Sequence, residues 1–365
     1  MPAQQRDFPS EREILESNQE KSMKPRIAMV LGDPAGIGPE LIAKLLSDDS
    51  ARSEAEVVLI ADRAEVEEGM RVANRRFEYR LIDSLDNLSL GDVPQLYDFR
   101  GSSSEPFVRG RVSAVGGRYS LDTMKLALEL TASGKTDSMM FAPLNKTSLH
   151  LGGMQCSDEL HWFAEQIGYD GTVCEFNVMD QLWTSRVTSH MALRDVAPLI
   201  TQPRVIEAIR LIHNALRQSG VENPRIGVCG FNPHCGDHGN FGREEIDVIA
   251  PAVAGARELG FNAEGPFPAD TIFLRVTGDR HDFDAIVTMY HDQGQIAIKL
   301  LGFWRGVSIQ GGLPIPITTP AHGTAFDIAM KGEANVGATM QAFRIACRMG
   351  KTRRASQTAS QIAGA

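Results

Sequence analysis

Short β-branched runs alternate with amphipathic stretches along most of this chain, and no other feature constrains its fold as strongly. Residues 26–31 and 57–61 read as strands. Residues 138–141 read as a short third strand that ends at Ala142-Pro143-Leu144-Asn145-Lys146. Residues 41–46, 121–133, 205–218 and 245–259 space their apolar side chains at helical period, and a further helix is expected to open over 324–330. Such alternation implies an α/β fold, expected here as two α/β/α lobes with a cleft between them. One lobe is expected from residues 24–150 with 300–350, the other from 151–299. Residues 1–23 lack the apolar core of a signal peptide and read as a disordered extension, with Met23 as an alternative start. Residues 351–365 read as a flexible tail.

Composition bounds the function. At 365 residues the chain can bury a large core. A net charge of −9 argues against nucleic acid as a main partner, since phosphate binding needs a basic surface. No apolar run is long enough to span a membrane. Five cysteines, odd in number and without a C-x-x-C pair, suit a reducing cytoplasm.

Three apolar strands run directly into histidines. The segments are residues 186–190, ending at His190; 226–234, ending at His234; and 285–291, ending at His291. Ligands bind at the carboxyl ends of strands in α/β sheets. Three imidazoles with an open fourth position form the catalytic arrangement for zinc, so these histidines are candidate metal ligands. The alternative is that some of them only hydrogen-bond within loops. Asp292 follows His291 directly and is a candidate to orient it or a metal-bound water. Lys299 lies eight residues on, either as a contact for an anionic substrate or as a snorkelling surface lysine. Lys146 is a candidate for proton transfer, with an ordinary loop lysine as the alternative.

Gly32-Asp33-Pro34-Ala35-Gly36-Ile37-Gly38-Pro39-Glu40 sits between a strand and a helix. It matches neither the dinucleotide fingerprint nor a P-loop. It reads equally as an anion cradle at a helix N-terminus and as a tight turn. His322-Gly323-Thr324-Ala325-Phe326-Asp327 reads as a helix cap that could also hold a nucleotide.

Together these motifs resemble the 4-hydroxythreonine-4-phosphate dehydrogenase family, over roughly residues 24–349. The resemblance is carried by the Gly32–Glu40 loop, Thr188-Ser189-His190, Asn232-Pro233-His234, Tyr290-His291-Asp292-Gln293-Gly294 and His322-Gly323-Thr324-Ala325. The last motif is also similar to the nucleotide loop of isocitrate and isopropylmalate dehydrogenases, a related fold. The resemblance implies a homodimer whose active site is shared across the interface. It implies one divalent metal on His190, His234 and His291, zinc first, with cobalt, magnesium, manganese or iron as alternatives. It implies NAD along His322, Gly323, Thr324, Ala325 and Asp327, with Asn335 near the adenine. The first lobe would then serve the cofactor, and the second the metal and the dimer. The implied reaction oxidises a secondary alcohol to a β-keto acid that can decarboxylate.

The substrate positions depart from that pattern. Where the family carries Gly-His-Thr-Glu, this chain reads Asp158-Glu159-Leu160-His161. The family's substrate asparagine falls at Ser308 and its arginine at Ile317; Lys299 alone is kept. Isoleucine cannot replace a bidentate arginine, and Glu159 would repel a phosphate. The substrate set Glu159, Leu160, Lys299, Ser308 and Ile317, with Trp162, therefore points to a ring carboxylate. In these positions the chain is similar to terephthalate cis-dihydrodiol dehydrogenases. The expectation is a metal- and NAD-dependent dehydrogenase of a non-phosphorylated diol carboxylate. The alternatives are 4-hydroxythreonine-4-phosphate or sugar-acid phosphate oxidation, or a metal hydrolase or lyase without NAD.

Overall fold

The computed structural model describes residues 24–86, 88–99, 108–302 and 305–363, with side chains through residue 359. The expected extension over 1–23 lies outside the described residues. Among the described residues, twelve strands form one mixed sheet in the order β3-β4-β2-β1-β5-β12-β11-β6-β7-β10-β8-β9. One half holds β1 (Arg26–Val30), β2 (Glu56–Ala61), β3 (Arg80–Ile82), β4 (Gln95–Asp98), β5 (Ser138–Phe141) and β12 (Ile317–Pro320). The other holds β6 (Cys174–Met179), β7 (Leu182–Arg186), β8 (Ile226–Cys229), β9 (Ala263–Phe267), β10 (Ala285–Thr288) and β11 (Val307–Gly311).

Within each half most neighbours are parallel. The β12–β11, β11–β6 and β6–β7 pairings between them are antiparallel. Three reversals in succession make the parallel strands of the two halves run in opposite senses.

Helices cover both faces, and the strand sequences are apolar on both sides for that reason. On β1, Ile27 and Met29 join one large core cluster, while Ala28 and Val30 join the other. The same split recurs on β2, where Val57 and Leu59 face one cluster and Val58 and Ile60 the other. Successive strand side chains point to opposite faces, so each strand feeds two cores. No helix among the described residues is long and apolar enough to cross a membrane.

The helices are α1 (Gly38–Leu46), α2 (Asp49–Glu54), α3 (Arg63–Ala73), α4 (Ala114–Ala132), α5 (Lys146–Leu151), α6 (Glu159–Gln166), α7 (Gln202–Gln218), α8 (Ala250–Glu258), α9 (His291–Gly302) and α10 (Gly337–Ala363). α4 starts seven residues before the expected Leu121, because Ser113 caps it: its hydroxyl accepts the Gly116 N–H at 3.0 Å. The stretch expected as one helix over 245–259 begins with a π turn, Glu245–Ile249, before α8.

The helix expected to open at Thr324 does not form. Ala325 and Met330 both adopt positive φ, 43° and 68°, and only a 3₁₀ turn, Phe326–Ile328, survives between them. Residues 351–363, read from sequence as a flexible tail, lie within α10.

Candidate functional site

β7, β10 and β8 are parallel neighbours, so the three histidine strands lie side by side. The β7–β10 ladder continues past the strands: Val187 N–H donates to the Thr288 carbonyl and Thr188 N–H to that of Met289. The Thr188 hydroxyl donates to the Met289 carbonyl as well, at 2.8 Å. This stitching brings His190 and His291 together with ring centroids 5.5 Å apart.

Burial and the Lys146 and Arg186 cations hold the His190 imidazole below its ordinary pKa, so its lone pair is free. His291 Nδ1 lies 2.7 Å from Asp292 Oδ1, which leaves Nε2 as the outward nitrogen. Both observations fit a pair of metal-ligating imidazoles. His234 stands apart from them. It follows β8 in a segment, Pro233–Gly239, where His234, Cys235, Gly236, Asp237 and His238 all take positive φ. Among the described residues of one chain, no three His, Cys, Asp or Glu side chains are grouped closely enough to hold a metal ion.

Two residues to which the sequence assigned no role, Glu245 and the motif residue Gln293, fix these strand ends. The buried Glu245 carboxylate accepts the Phe231 and Asn232 N–H groups at 2.7 and 2.6 Å, holding the turn that carries His234. The Gln293 amide accepts the Met289 N–H at 2.8 Å and donates to the Gly230 carbonyl at 3.0 Å. It thereby ties the end of β10 to the end of β8. Neither residue carries a spacing signature, because each acts through backbone groups brought close only by folding.

The glycine loop is decided by burial. Residues 31–40 are all buried, and its glycines face backbone. A Cβ on Gly32 would come within 2.2 Å of the Ala142 carbonyl oxygen, and one on Gly38 within 1.9 Å of that of Leu31. A Cβ on Gly36 would meet the Thr324 carbonyl oxygen at 2.7 Å, and the Ile37 N–H donates to that oxygen at 3.1 Å. The loop glycines are therefore packing joints, Gly36 against Thr324, Gly32 against Ala142 and Gly38 against Leu31. Thr324 is buried in that joint and caps no helix, contrary to the expectation. Asn335 is the residue with a capping contact: its side-chain oxygen accepts the Gly337 N–H at 2.8 Å, at the start of α10.

The expected apolar wall for a ring is core. Ile317 is fully buried, and Leu160 and Trp162 pack with it in the cluster of Phe141 and Phe163. Ile317 lies on β12, a central strand covered on both faces, and Leu160 and Trp162 are buried on the inner side of α6. Ser308 is also buried; its hydroxyl donates to Glu175 at 2.8 Å. Burial raises the Glu159 carboxyl above its usual pKa, with Lys146 opposing, and one of its oxygens is buried without a partner. Lys146, the first residue of α5, is exposed, and its charge acts on Asp158, Glu159, Glu175 and His190. Lys299 is exposed on α9, eight residues beyond His291.

Comparison with known proteins adds to this geometry. The family model described as "Pyridoxal phosphate biosynthetic protein PdxA" matches residues 53–346. A Pseudomonas aeruginosa protein named "Putative 4-hydroxythreonine-4-phosphate dehydrogenase 2" is 66% identical over 90% of this chain and 97% of its own length. A Cupriavidus necator protein named D-threonate 4-phosphate dehydrogenase is 38% identical over 88% of this chain and 96% of its own. The crystal structure of 4-hydroxythreonine-4-phosphate dehydrogenase from Klebsiella pneumoniae superposes with a TM-score of 0.78 at 34% identity, covering 90% of this chain and 99% of that one. A terephthalate 1,2-cis-dihydrodiol dehydrogenase from Burkholderia xenovorans superposes less well, with a TM-score of 0.63 at 28% identity, covering 89% and 98%.

Proposed function

The chain belongs to the PdxA family of pyridoxal phosphate biosynthetic proteins, a family of dehydrogenases, and from that premise we propose that it oxidises the secondary hydroxyl of a phosphorylated hydroxy acid with NAD and a divalent metal. The substrate class is that of 4-hydroxythreonine 4-phosphate and D-threonate 4-phosphate. The observation that carries this reading is the match to the Pseudomonas aeruginosa relative over nearly its whole length, both halves of the sheet included. The earlier expectation of a non-phosphorylated dihydrodiol is unsupported. It rested on Glu159, Ser308 and Ile317; the last two are buried, Ser308 donating to Glu175, and the dihydrodiol dehydrogenase is the weaker structural likeness.

His190 and His291 would hold the metal from one chain, and His234 of a second copy would complete the set. This reading makes the protein a homodimer with shared sites. Zinc suits an imidazole set, and cobalt, magnesium, manganese or iron remain alternatives. The bound cation would polarise the substrate hydroxyl and stabilise the charge that develops on its oxygen. Asp292 fixes the tautomer and orientation of His291. Lys146 handles the proton at its Nζ, close to His190 and Glu175. Lys299, extended from α9, meets an anionic group of the substrate. NAD would lie along the 322–327 loop, braced from behind by Gly36, with Asn335 at its far end. The oxidised β-keto acid then loses carbon dioxide. The cysteine pattern and the absence of a membrane-spanning helix among the described residues support a cytoplasmic setting.

The test is NADH formation by metal-loaded protein, followed by absorbance. 4-Phosphohydroxythreonine, D-threonate 4-phosphate and the terephthalate cis-dihydrodiol are offered side by side. Turnover of a phosphate ester is expected; turnover of the diol alone would refute the reading.

A further inference from the structure

Four polar residues, of which Glu175 and Asn177 belong to no motif, form a nest on the sheet beside the paired histidines. Glu175 and Asn177 lie on β6, Arg186 ends β7, and Ser308 lies on β11 directly opposite Asn177. Glu175 Oε1 accepts the Ser308 hydroxyl at 2.8 Å and the Asn177 amide at 2.9 Å. Its Oε2 accepts from Arg186 at 3.3 Å. Arg186 also donates to Asn177 Oδ1 at 2.8 Å and, through Nε, to Ser189 at 3.0 Å, one residue before His190. The Gln295 amide on α9 closes the nest onto Asn177.

The arrangement is unequal in a useful way. The Arg186 side chain is only 4% exposed, whereas that of Glu175 is 28% exposed. Arginine, asparagine and serine are spent on holding the carboxylate, and one edge of it stays uncovered. Burial pushes its pKa up, and Arg186, the Ser308 and Asn177 hydrogen bonds and Lys146 together hold it below the usual carboxylate range. A carboxylate offers about four acceptor positions, and three are filled.

We propose that the open acceptor position of Glu175 receives a hydrogen bond from a hydroxyl or ammonium group of the substrate, which makes Glu175 a specificity-determining residue. The inference rests on the functional reading above and adds to it the group that selects the substrate. Ser308 then acts through Glu175, as a positioning residue that aims the carboxylate and does not touch the substrate. A hydrogen bond to a fixed carboxylate is among the stronger neutral-to-charged contacts, and a site built around it rejects analogues that lack the donor.

The experiment is steady-state kinetics on the metal-loaded enzyme, wild type against Glu175→Gln and Ser308→Ala, with both phosphate esters. NAD binding is followed in parallel by thermal shift. Glu175→Gln keeps the shape and removes the charge. It is expected to raise KM about tenfold or more for the preferred ester, with kcat within about threefold and the NAD shift unchanged. Ser308→Ala is expected to raise KM by a smaller factor in the same direction. An unchanged KM in Glu175→Gln overturns the proposal, as does a fall in kcat alone. A merely structural carboxylate would lower the melting temperature of the unliganded protein and leave KM in place. A wild type that binds NAD yet turns over neither ester refutes the functional reading, and this inference with it.

Discussion

His190 and His291 face each other with ring centroids 5.5 Å apart, although 101 residues separate them in the chain, because β7 and β10 are parallel neighbours whose ladder runs on past their last strand residues. His234 follows β8, the strand next to β10, on a turn of left-handed residues, and is not grouped with them in a three-ligand cluster. The chain thus presents a pair and a separate third imidazole.

If the separate histidine completes the site of a second copy, His234→Ala should abolish metal binding and turnover while the melting temperature stays within a few degrees. Metal content of the purified variant checks the first point. Mixing His234→Ala with His190→Ala under exchange of subunits should then restore turnover, because one hybrid site regains all three ligands. A mixture as inactive as its components would exclude a shared site.

Glu245→Ala should destabilise the fold by about 2–3 kcal/mol, since it leaves the Phe231 and Asn232 N–H groups unpaired in a buried turn. Urea denaturation of the metal-free protein measures this. A loss below about 0.5 kcal/mol would show that the turn carrying His234 holds itself.

Gly36→Ala would place a methyl 2.7 Å from the Thr324 carbonyl oxygen and 2.8 Å from its Cβ. Overpacking of this kind costs about 1–3 kcal/mol, and here the strain falls on the segment proposed to carry NAD. Weaker NAD binding is expected by calorimetry, with metal content unchanged. Wild-type affinity for NAD would separate the glycine joint from the cofactor.

Asp33 is buried, and desolvation raises its carboxyl above the ordinary 3.8, more than the Ala35 N–H and Ser148 lower it. A group whose folded pKa is raised binds its proton more tightly in the folded state. Its contribution to stability therefore falls as pH rises from the unfolded value through the folded one. Asp33→Asn should be at least as stable as wild type at neutral pH, with the difference shrinking as pH falls towards 3.8. Denaturation midpoints of the two proteins across that range provide the check; a gap that widens at low pH would contradict the sign.

Much of the strand framework was legible. Ser138–Phe141 matches the structure residue for residue, and Arg26–Val30 and Glu56–Ala61 differ from expectation by one residue at an end. Apolar, β-branched runs between turn residues leave few alternatives. The helix ends were less legible, because Ser113, like the left-handed Ala325 and Met330, decides them through local backbone geometry that apolar period does not carry. What the substrate positions do was not legible, for a different reason. Ile317 and Ser308 stand in the family's substrate positions, but a pattern of substituted residues does not say whether a side chain meets a ligand or its own neighbours.

By itself the sequence determined the α/β class, the three histidines at the ends of parallel strands, and the family. These follow from composition, short-range period and motif order, all of which are local. Tertiary structure alone decided that β7, β10 and β8 lie side by side, that the two halves of the sheet run in opposite senses, and that the glycines serve packing. It alone gathered Glu175, Asn177, Arg186 and Ser308 into one nest. The physical reason is that strand pairing brings together segments distant in the chain, such as Glu175 with Ser308 and Ala285 with Ile226, and no local signal in the chain records which strands will meet.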